Sequence, residues 1–487
     1  MTLEEALTGI SGPENVLSDP ATLESYSQDL SFAKPIKPHA VVKPKTADEV
    51  KAIVNWANPS ATPLVPVSSG PPRFHGDTVP GVPGAVIVDL SGMKGIMRID
   101  RRNRVAMIEA GVTYAQLQPE LEREGMRLSM PLMPRANKSV VASLLEREPI
   151  LIPRSQWASL EPLRCTSIIW GDGKQLTTGD AGMWPSMESA WQKKQAPASP
   201  TGPGQTDYYR FVSAAQGSLG IVTWASVKCE VFPEIHKLFF VPAGKPDDLI
   251  DFTYRILRFR YADELFILNN TSLAFILGDS PEKIKSLTQE LPPWVALVGI
   301  AGRSLLPEER VAYQEKDISD IAQEFGLRLL PTVPGASNSA VMKAILNPSL
   351  EPYWKLGYRG GYQDILFITT LNRTPEFIET MSSLAEAGGY PSRDMGVYIQ
   401  PLQQGSNCHC EFILPFERED AAEAARMQLL YTAASDEMLK RGAFFSRPYG
   451  IWADMAYNRG AQTRTVLRKI KGIFDPNNVM NPGKLCF

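Results

Sequence analysis

Two glycines lie close together in the segment 217–223, Gly-Ser-Leu-Gly-Ile-Val-Thr, where the backbone itself could contact a ligand. Glycine adopts positive φ freely, so Gly217 and Gly220 predict a tight turn. The apolar, β-branched residues 221–227 then predict a buried strand. Such a turn leaves N–H and C=O groups open to a planar or phosphorylated ligand. An ordinary loop before a strand has the same pattern, so both interpretations stay open at this point.

A second candidate loop follows a short apolar run and ends in Arg-Phe-His-Gly-Asp at residues 73–77. Gly70 and Gly76 would allow a ligand to approach the backbone closely, whereas Pro71 and Pro72 each remove an N–H donor. Arg73 could supply positive charge instead. The alternative is a rigid surface loop.

The segment Cys408, His409, Cys410 and Glu411 contains side chains that ligate metals. On a strand, however, both thiols point the same way and His409 points the other way. The sequence has no second Cys/His cluster to complete four ligands. We therefore predict strand residues without a metal, with His409 or Glu411 facing a substrate pocket. We find no Gly-x-Gly-x-x-Gly after a strand and no P-loop, so neither NAD nor ATP is indicated.

Four segments resemble the vanillyl-alcohol oxidase and p-cresol methylhydroxylase family of flavoproteins. Residues 207–223 are similar to the family's "QSNxGIVT" segment, which lines the flavin, and residues 470–484 resemble its closing "FDPxxxxNPGK". Residues 138–153 align without gaps to "SVVGNxxD…YTP", and residues 444–450 align with the active-site strand "YRTH". The matches occur in the family's order.

The resemblance implies FAD as the cofactor, held by these segments and by the loop that follows the second strand. The residues implied to contact FAD are Pro66, Val67, Ser68, Ser69, Gly70, Arg73, Phe74, Ser139, Val140, Gly217, Gly220, Ile221, Val222, Asn481 and Lys484.

The resemblance also implies catalytic roles. Glu146 falls on an aspartate near the flavin's reactive N5 and would transfer a proton, with a raised pKa. Arg447 matches the family arginine and would stabilise developing negative charge. His75 would orient the substrate or attach the flavin covalently, and Tyr449 could reach inward. The alternatives are a solvated charge for Glu146, a structural ion pair for Arg447 and a structural histidine.

The chain departs from the family at the sites that hold a phenolate and at one cofactor glycine. At the positions of the family's two phenolate-holding tyrosines, this chain has His75 and Ser446. The absence of both tyrosines argues against a simple para-alkylphenol substrate. The family glycine of the 138–153 segment is Ala142. Tyr362 or Asp364 falls near the place where relatives attach flavin through a histidine or tyrosine.

Length and composition exclude several other classes of protein. The chain has 487 residues, a net charge of −3 and 44% hydrophobic residues. Two or three globular domains are expected, without a basic surface for nucleic acid. We find no apolar run long enough to span a bilayer and no signal peptide. Five cysteines do not make a disulfide framework, so we expect a cytoplasmic protein.

Hydrophobic periodicity and capping signals predict the elements that position these residues. Helices are expected at 47–57, 113–123, 247–261, 307–325, 374–387 and 421–441, with Thr46 as the cap of the first and Thr113 as the cap of the second. Strands are expected at 40–43, 64–67, 85–90, 104–111, 163–170, 221–227, 294–301, 364–370, 394–399 and 408–415. The strand 163–170 is expected to end in a hairpin turn at the glycines of 171–173. Residues 131–153 are expected to be irregular, and residues 183–204 to form an exposed loop that serves as a lid or partner contact or is a disordered insertion.

We therefore predict an α+β protein with the two-domain p-cresol-methylhydroxylase-type FAD-binding fold and an antiparallel-sheet cap domain. The FAD domain would comprise residues 1–232, the cap or substrate domain 233–440, and the segment 441–487 would return to the FAD domain.

Three functions compete. The first is FAD-dependent hydride transfer from a phenol or benzylic alcohol to flavin N5. The second is a 2-hydroxy-acid dehydrogenase of the glycolate/D-lactate type, although its paired histidines are absent. The third is a non-catalytic subunit with a degenerate FAD site. The expected partners are a small-molecule substrate and an electron acceptor: O2, a cytochrome, an electron-transfer flavoprotein or an iron–sulfur protein. Homo-oligomers and membership of a larger redox complex both remain open.

Overall fold

The computed structural model describes residues 2–153, 162–204 and 207–487, and these contain both helices and three larger sheets. The helices are α1 Leu3–Ser11, α2 Pro20–Ser27, α3 Ala47–Ser60, α4 Tyr114–Arg123, α5 Val140–Leu145, α6 Met187–Gln192, α7 Tyr209–Val212, α8 Ile250–Phe259, α9 Asn270–Leu277, α10 Pro281–Glu290, α11 Pro307–Glu324, α12 Asn338–Ile345, α13 Thr374–Ala387, α14 Ala421–Lys440, α15 Ile451–Tyr457 and α16 Ala461–Phe474. The strands are β1 Val16–Leu17, β2 Ala40–Val42, β3 Leu64–Val67, β4 Val86–Asp89, β5 Ile96–Asp100, β6 Val105–Glu109, β7 Met126–Leu128, β8 Leu163–Trp170, β9 Gln175–Thr177, β10 Gly220–Val231, β11 Ile235–Ala243, β12 Leu265–Asn269, β13 Trp294–Gly302, β14 Thr332–Val333, β15 Ala336–Ser337, β16 Gly360–Thr369, β17 Gly396–Leu402 and β18 Asn407–Glu417.

The first sheet has the strand order β1-β2-β4-β3, and β4 runs parallel to both of its neighbours. Its parallel strands are short apolar runs, as expected for strands covered on both faces. Thr46 begins α3 by accepting a hydrogen bond from the N–H of Glu49, which confirms the predicted cap. Val50, Ile53 and Val54 of α3 pack against this sheet.

The second sheet is antiparallel and has the order β5-β6-β10-β8-β9, with β7 paired to β10. The glycine turn at 171–173 joins β8 to β9, as the sequence predicts. The long strand β10 carries the segment after Gly220 through the middle of this sheet, between β6 and β8. The predicted buried strand is therefore confirmed and extends beyond its predicted end.

The third sheet is fully antiparallel, in the order β11-β13-β12-β17-β18-β16. Its two faces differ in character along β18. Cys408 and Cys410 point into the apolar core beneath α13 and α14, while His409 and Glu411 point to the opposite face. That second face also carries Tyr398, which pairs with Glu411 across the strands.

The C-terminal segment pairs with the first sheet. The N–H of Leu64 donates to the carbonyl of Val479 at 2.7 Å, and its carbonyl accepts from Asn481 at 2.8 Å. Nearby, the buried ammonium of Lys471 binds Asp475 and the carbonyls of Ser218 and Met480. A buried charge needs partners of this kind, so the closing Phe-Asp-Pro motif joins the tail to the glycine turn.

The α+β fold class is confirmed, but some local expectations are wrong. Residues 131–153 include α5, because Ser139 caps a helix that is too short to show clear periodicity. Residues 183–204 include α6, with Met187 and Ala190 buried, so this segment is not a wholly exposed loop. Strands β11 and β12 were not anticipated. The domain bounds 1–232, 233–440 and 441–487 stay a prediction. In the described ranges, no helix combines the length and hydropathy that crossing a membrane requires.

Candidate active site

A cavity lies between the two N-terminal sheets and the third sheet, and its walls come from both sides. The sequence-predicted residues that line it are Pro66, Val67, Ser68, Ser69, Arg73, Phe74, His75, Glu146, Gly217, Gly220, Ile221, Val222, Arg447 and Tyr449. Long-range folding therefore brings together residues from four separate segments.

The loop between β3 and β4 forms one wall of the cavity. The amide N–H groups of Ser69, Gly70, Phe74 and His75 make no hydrogen bond to the residues that the structure describes. Unpaired amides at a cavity wall are ready to bind an anion. Pro71 and Pro72 reduce the number of N–H donors in the loop, but the four amides named above remain unpaired within the described part of the chain. This loop therefore retains the capacity to bind phosphate oxygens.

Arg73 has protein partners already. Its guanidinium donates to the carbonyl of Ser25 at 3.1 Å and lies 4.5 Å from the ring centroid of Tyr26. The hydroxyl of Tyr26 in turn donates to Asp89 at 2.7 Å. A role of Arg73 in binding phosphate stays a prediction.

The two glycines of the segment 217–223 are required by close approaches. Gly217 has a φ of +68°, and a Cβ there would lie 2.3 Å from Cγ of Pro66. A Cβ on Gly220 would lie 2.6 Å from the carbonyl oxygen of Ile169. The first glycine thus lets the turn pack on β3, and the second lets β10 begin beside β8.

Four of the remaining predicted cofactor residues support the cavity from behind. Ser139 caps α5 through the N–H of Ala142, and its own N–H donates to Ser69, while Val140 is buried in the core beneath. Asn481 donates to the carbonyls of Asp77 and Gln216, and Lys484 donates to the carbonyl of Gly76. The C-terminal motif therefore fixes the position of both cavity loops.

Three buried polar atoms at or beside this wall have no hydrogen-bond partner among the described residues: Nε2 of His75, Oγ1 of Thr78 and Oδ1 of Asn481. Buried polar atoms are normally satisfied, so these atoms indicate a polar ligand. Together with the free amides, they fit an oxygen-rich group such as the pyrophosphate and ribose of a dinucleotide. The residues present therefore fit FAD.

Glu146 is not the solvated charge that its Glu-Arg-Glu context allowed. Lys138 lies between Glu146, at 2.7 Å, and Glu148. Burial disfavours the charged form of Glu148, but the Lys138 ammonium outweighs that effect and lowers the pKa of this carboxyl to about 2. Glu148 also accepts from Ser143. Lys138 and Glu148 were missed by sequence reasoning, because nothing in their spacing reveals the pairing.

A second buried network covers the cap side of the cavity. The ammonium of Lys355 contacts Glu411 and lies 3.5 Å from Asp364, and Glu411 also bonds His409 at 2.9 Å. Burial opposes ionisation of Asp364, yet Lys355 outweighs it and holds the pKa of that carboxyl well below its usual range. Sequence reasoning missed Lys355, which follows a tryptophan in a segment without clear periodicity.

His75 joins the two sides of the cavity. Its ring stacks on Tyr449 with centroids 4.4 Å apart and planes 11° apart. Its Nε2 lies 3.9 Å from the Asp364 carboxylate, which is a charge contact too long for a hydrogen bond. Burial favours the neutral ring, but Asp364 outweighs burial and raises the pKa of His75.

Arg447 differs from the other cations of the cavity wall. Its side chain is buried, with 4% exposure, and makes no hydrogen bond or ion pair to the described residues. Lys138 and Lys355 each hold carboxylates, and Arg135 donates to Gly70 and Asn137. Arg447 therefore presents to the cavity guanidinium N–H donors that no described residue accepts, and its charge lies near enough to Glu148 and Asp364 to help lower the pKa of both carboxyls.

Comparisons with known proteins agree with this architecture. A family model described as FAD binding domain matches residues 38–144, and one described as FAD linked oxidases, C-terminal domain, matches residues 265–485. The solved structure of p-cresol methylhydroxylase with substrate bound superposes with a TM-score of 0.83 at 19% identity, covering 99% of this chain and 96% of that one.

Two curated relatives align over nearly the whole chain. D-2-hydroxyglutarate dehydrogenase of Stutzerimonas stutzeri (strain A1501) is 23% identical over 97% of this chain and 96% of its own length. The 4-cresol dehydrogenase (hydroxylating) flavoprotein subunit of Pseudomonas putida is 21% identical over 97% and 93%.

The fold and the cavity thus define a flavin-dependent oxidoreductase. The chain contains an FAD binding domain and the C-terminal domain of FAD linked oxidases, it shares the fold of p-cresol methylhydroxylase, and its cofactor is FAD. The predictions of family, cofactor and enzyme class are confirmed, which leaves the hypothesis of a non-catalytic subunit without support. The roles of individual site residues stay predictions.

Proposed function

We propose that this enzyme oxidises a phenol or benzylic alcohol and that Arg447 binds the substrate oxygen that carries negative charge. The observation that carries the proposal is the buried guanidinium of Arg447, which faces the cavity without a partner among the described residues. A buried charge is costly unless it is paired. An anionic oxygen of the substrate would supply the missing partner, through two parallel hydrogen bonds if its geometry allows.

The aromatic wall of the cavity supports a flat substrate. Phe74 packs against Tyr353 and Tyr362, with ring centroids 5.7 and 5.1 Å apart, and Tyr449 lies under His75. The hydroxyls of Tyr353, Tyr362 and Tyr449 make no hydrogen bond to the described part of the chain, and all three residues line the cavity. They could replace the family tyrosines that are absent at positions 75 and 446.

The remaining roles follow from charge and position. Bound FAD supplies the acceptor for the two electrons and the hydrogen that the substrate C–H bond loses. We assign substrate orientation to His75, which the stacked ring of Tyr449 holds in place. Glu146 stays a candidate for proton transfer, although one of its carboxylate oxygens is already paired with Lys138.

A 2-hydroxy acid is the second candidate substrate, and one observation favours it. The relative named as a D-2-hydroxyglutarate dehydrogenase aligns over nearly the full length of both chains. A carboxylate would satisfy Arg447 as well as a phenolate does. Anaerobic mixing of the FAD-loaded enzyme with phenols, benzylic alcohols and 2-hydroxy acids would identify the class, since only a substrate bleaches the flavin.

We also propose that the electrons pass to a separate acceptor. The relative named as a flavoprotein subunit supports this idea. Turnover assays with O2 and with a redox protein as the electron acceptor would identify the chemical nature of the acceptor.

Arg447→Lys tests the proposal directly. Lysine keeps the charge but loses the planar guanidinium group. We therefore expect kcat/KM to fall by a factor that corresponds to about 2–4 kcal/mol of transition-state stabilisation, the usual effect of losing one preorganised oxyanion donor. Steady-state kinetics with the best substrate measures this. Arg359→Lys is the matched control, because Arg359 pairs with Glu423 and does not line the cavity. A wild-type kcat/KM in Arg447→Lys would make Arg447 a structural residue.

A further inference from the structure

Among the described residues, one acidic side chain of the cavity wall differs from the others because it contacts no lysine. Five carboxylates line the cavity, and four of them contact a lysine: Glu146 and Glu148 contact Lys138, and Asp364 and Glu411 contact Lys355.

The fifth carboxylate is Asp77, which follows His75 in the loop after β3. Its side chain makes no hydrogen bond or ion pair to any residue that the structure describes, although its backbone carbonyl accepts from Asn481. Within the described ranges, Asp77 and Arg447 are therefore the two charged side chains that face the cavity without a hydrogen-bond or ion-pair partner.

We propose that Asp77 is the catalytic base of this enzyme: it takes the hydroxyl proton of the substrate whose oxygen Arg447 binds. This inference rests on the proposed function. The substrate O–H bond breaks, its electron pair stays on the oxygen, and the proton moves to a carboxylate oxygen of Asp77. FAD, when bound, would accept the two electrons and the hydrogen of the substrate C–H bond. Glu146, by contrast, is already paired with Lys138 at 2.7 Å and acts on Asp77 through its charge.

The surroundings of Asp77 suit a base. The charged groups that face it are Glu146, His75, Asp29 and Lys484. Burial and the charge of Glu146 raise the pKa of Asp77 to about 6, against the opposing effects of His75 and Lys484. A base whose pKa lies near the working pH is ionised enough to accept a proton and basic enough to hold it.

The positions of its neighbours are fixed by hydrogen bonds. Lys484 donates to the carbonyl of Gly76 at 2.7 Å, and the carboxylate of Asp29 accepts from the N–H of Gly76 at 2.6 Å. A Cβ on Gly76, whose φ is +72°, would lie 2.8 Å from Ala33. The turn that presents Asp77 to the cavity is thus held from three sides without using the Asp77 carboxylate.

The test is Asp77→Asn in the FAD-loaded protein, compared with Glu146→Gln. We expect Asp77→Asn to slow anaerobic flavin reduction by roughly 10²-fold or more, the usual size of general base help, and to remove the rise of the reduction rate with pH near pH 6. Glu146→Gln should keep that rise but move it to lower pH, because a negative neighbour is lost. An Asp77→Asn rate equal to wild type would overturn the proposal.

A stability measurement separates a base from a structural residue. The folded pKa of Asp77, about 6, exceeds the unfolded value of about 3.9. The folded state therefore binds more protons, and wild type loses stability as pH rises between these values. Asp77→Asn should unfold at higher urea than wild type at pH 8, and the two midpoints should converge at pH 4. A lower midpoint for the variant at pH 8 would show a structural role and overturn the proposal.

These measurements also distinguish a failure of the proposed function from a failure of the role of Asp77 alone. A wild-type enzyme whose flavin none of the phenols, benzylic alcohols or 2-hydroxy acids reduces would overturn the proposed function and, with it, the role of Asp77. A wild-type enzyme that is active while Asp77→Asn matches it would overturn the role of Asp77 alone.

Discussion

At the scale of single residues, the candidate active site is distinguished by charged side chains that have no hydrogen-bond or ion-pair partner among the described residues. Lys138 and Lys355 pair with most of the carboxylates of the cavity wall, whereas Arg447 and Asp77 have no such partner in the part of the chain that the structure describes. Internal pairs stabilise the protein and hold the walls in place, whereas unpaired groups lower its stability and are free to act on a ligand.

His75→Ala tests how this group of charges is coupled. Protonated His75 lowers the pKa of Asp77, so removing it should move the pH midpoint of flavin reduction upward rather than abolish the pH dependence. Loss of the ring that stacks on Tyr449 should also raise KM. Stopped-flow reduction between pH 5 and pH 9 measures both effects. If the pH dependence disappears instead, His75 is itself the titrating group. His39→Ala serves as the control, because His39 does not line the cavity.

At the scale of secondary structure, the pairing of β16 with β18 builds the acidic face of the cap. Leu366 lies opposite Glu411, so Asp364, two residues away, is on the same face as Glu411. Two carboxylates this close to each other in a buried place need a cation between them, and Lys355, in the segment before β16, supplies it. A shift of β16 by one residue in this register would turn Asp364 to the face opposite Glu411 and separate the two carboxylates.

We expect Lys355→Met to cost about 3–5 kcal/mol at pH 7, the usual cost of removing one partner of a buried ion pair. Lys355 lowers the pKa of Asp364 and Glu411, so its contribution is present above their unfolded values and is lost as pH falls. The deficit of the variant should therefore shrink below pH 4, which urea unfolding at several pH values measures. Lys316→Met, in an exposed pair with Asp320, is the control and should change stability little. An equal loss in both variants would contradict the role of Lys355.

At the scale of the whole molecule, a buried charge cluster joins the second sheet to the third. Arg127 of β7 donates to Glu264 at 2.8 Å, and the other carboxylate oxygen of Glu264 lies 2.8 Å from His236 of β11. Gly299 makes room for it, since a Cβ there would lie 2.1 Å from the Glu264 carboxylate. Because the cavity lies between these sheets, the cluster fixes the distance between its walls.

We expect Glu264→Gln to lower stability at pH 7 by about 3 kcal/mol. Burial opposes ionisation, but Arg127 outweighs it and lowers the pKa of Glu264 to about 2. The stabilisation is thus present above the unfolded pKa of about 4.3 and declines as pH falls towards 2. Urea midpoints at pH 7, 5, 4 and 3 should show the difference from wild type becoming smaller. Glu315→Gln, whose partner Lys237 is exposed, is the control. A constant difference across this range would contradict the assignment.

Neighbouring residues encode much of the local structure. The cap at Thr46, the start of a helix after Thr113, the turn after Trp170 and the alternation of Cys408, His409 and Cys410 were predicted from such residues, and the structure confirms them. The family and its cofactor were also accessible, because motifs such as the one around Gly217 are contiguous.

Only the tertiary structure decided which charges are paired. Lys355 and Glu411 are 56 residues apart in the chain, and Arg127 and Glu264 are 137 apart. Their meeting depends on sheet register and on the packing of one sheet against another, which no local pattern records. For the same reason Asp77 was not recognised: a carboxylate without a partner becomes visible only when the partners of all its neighbours are known.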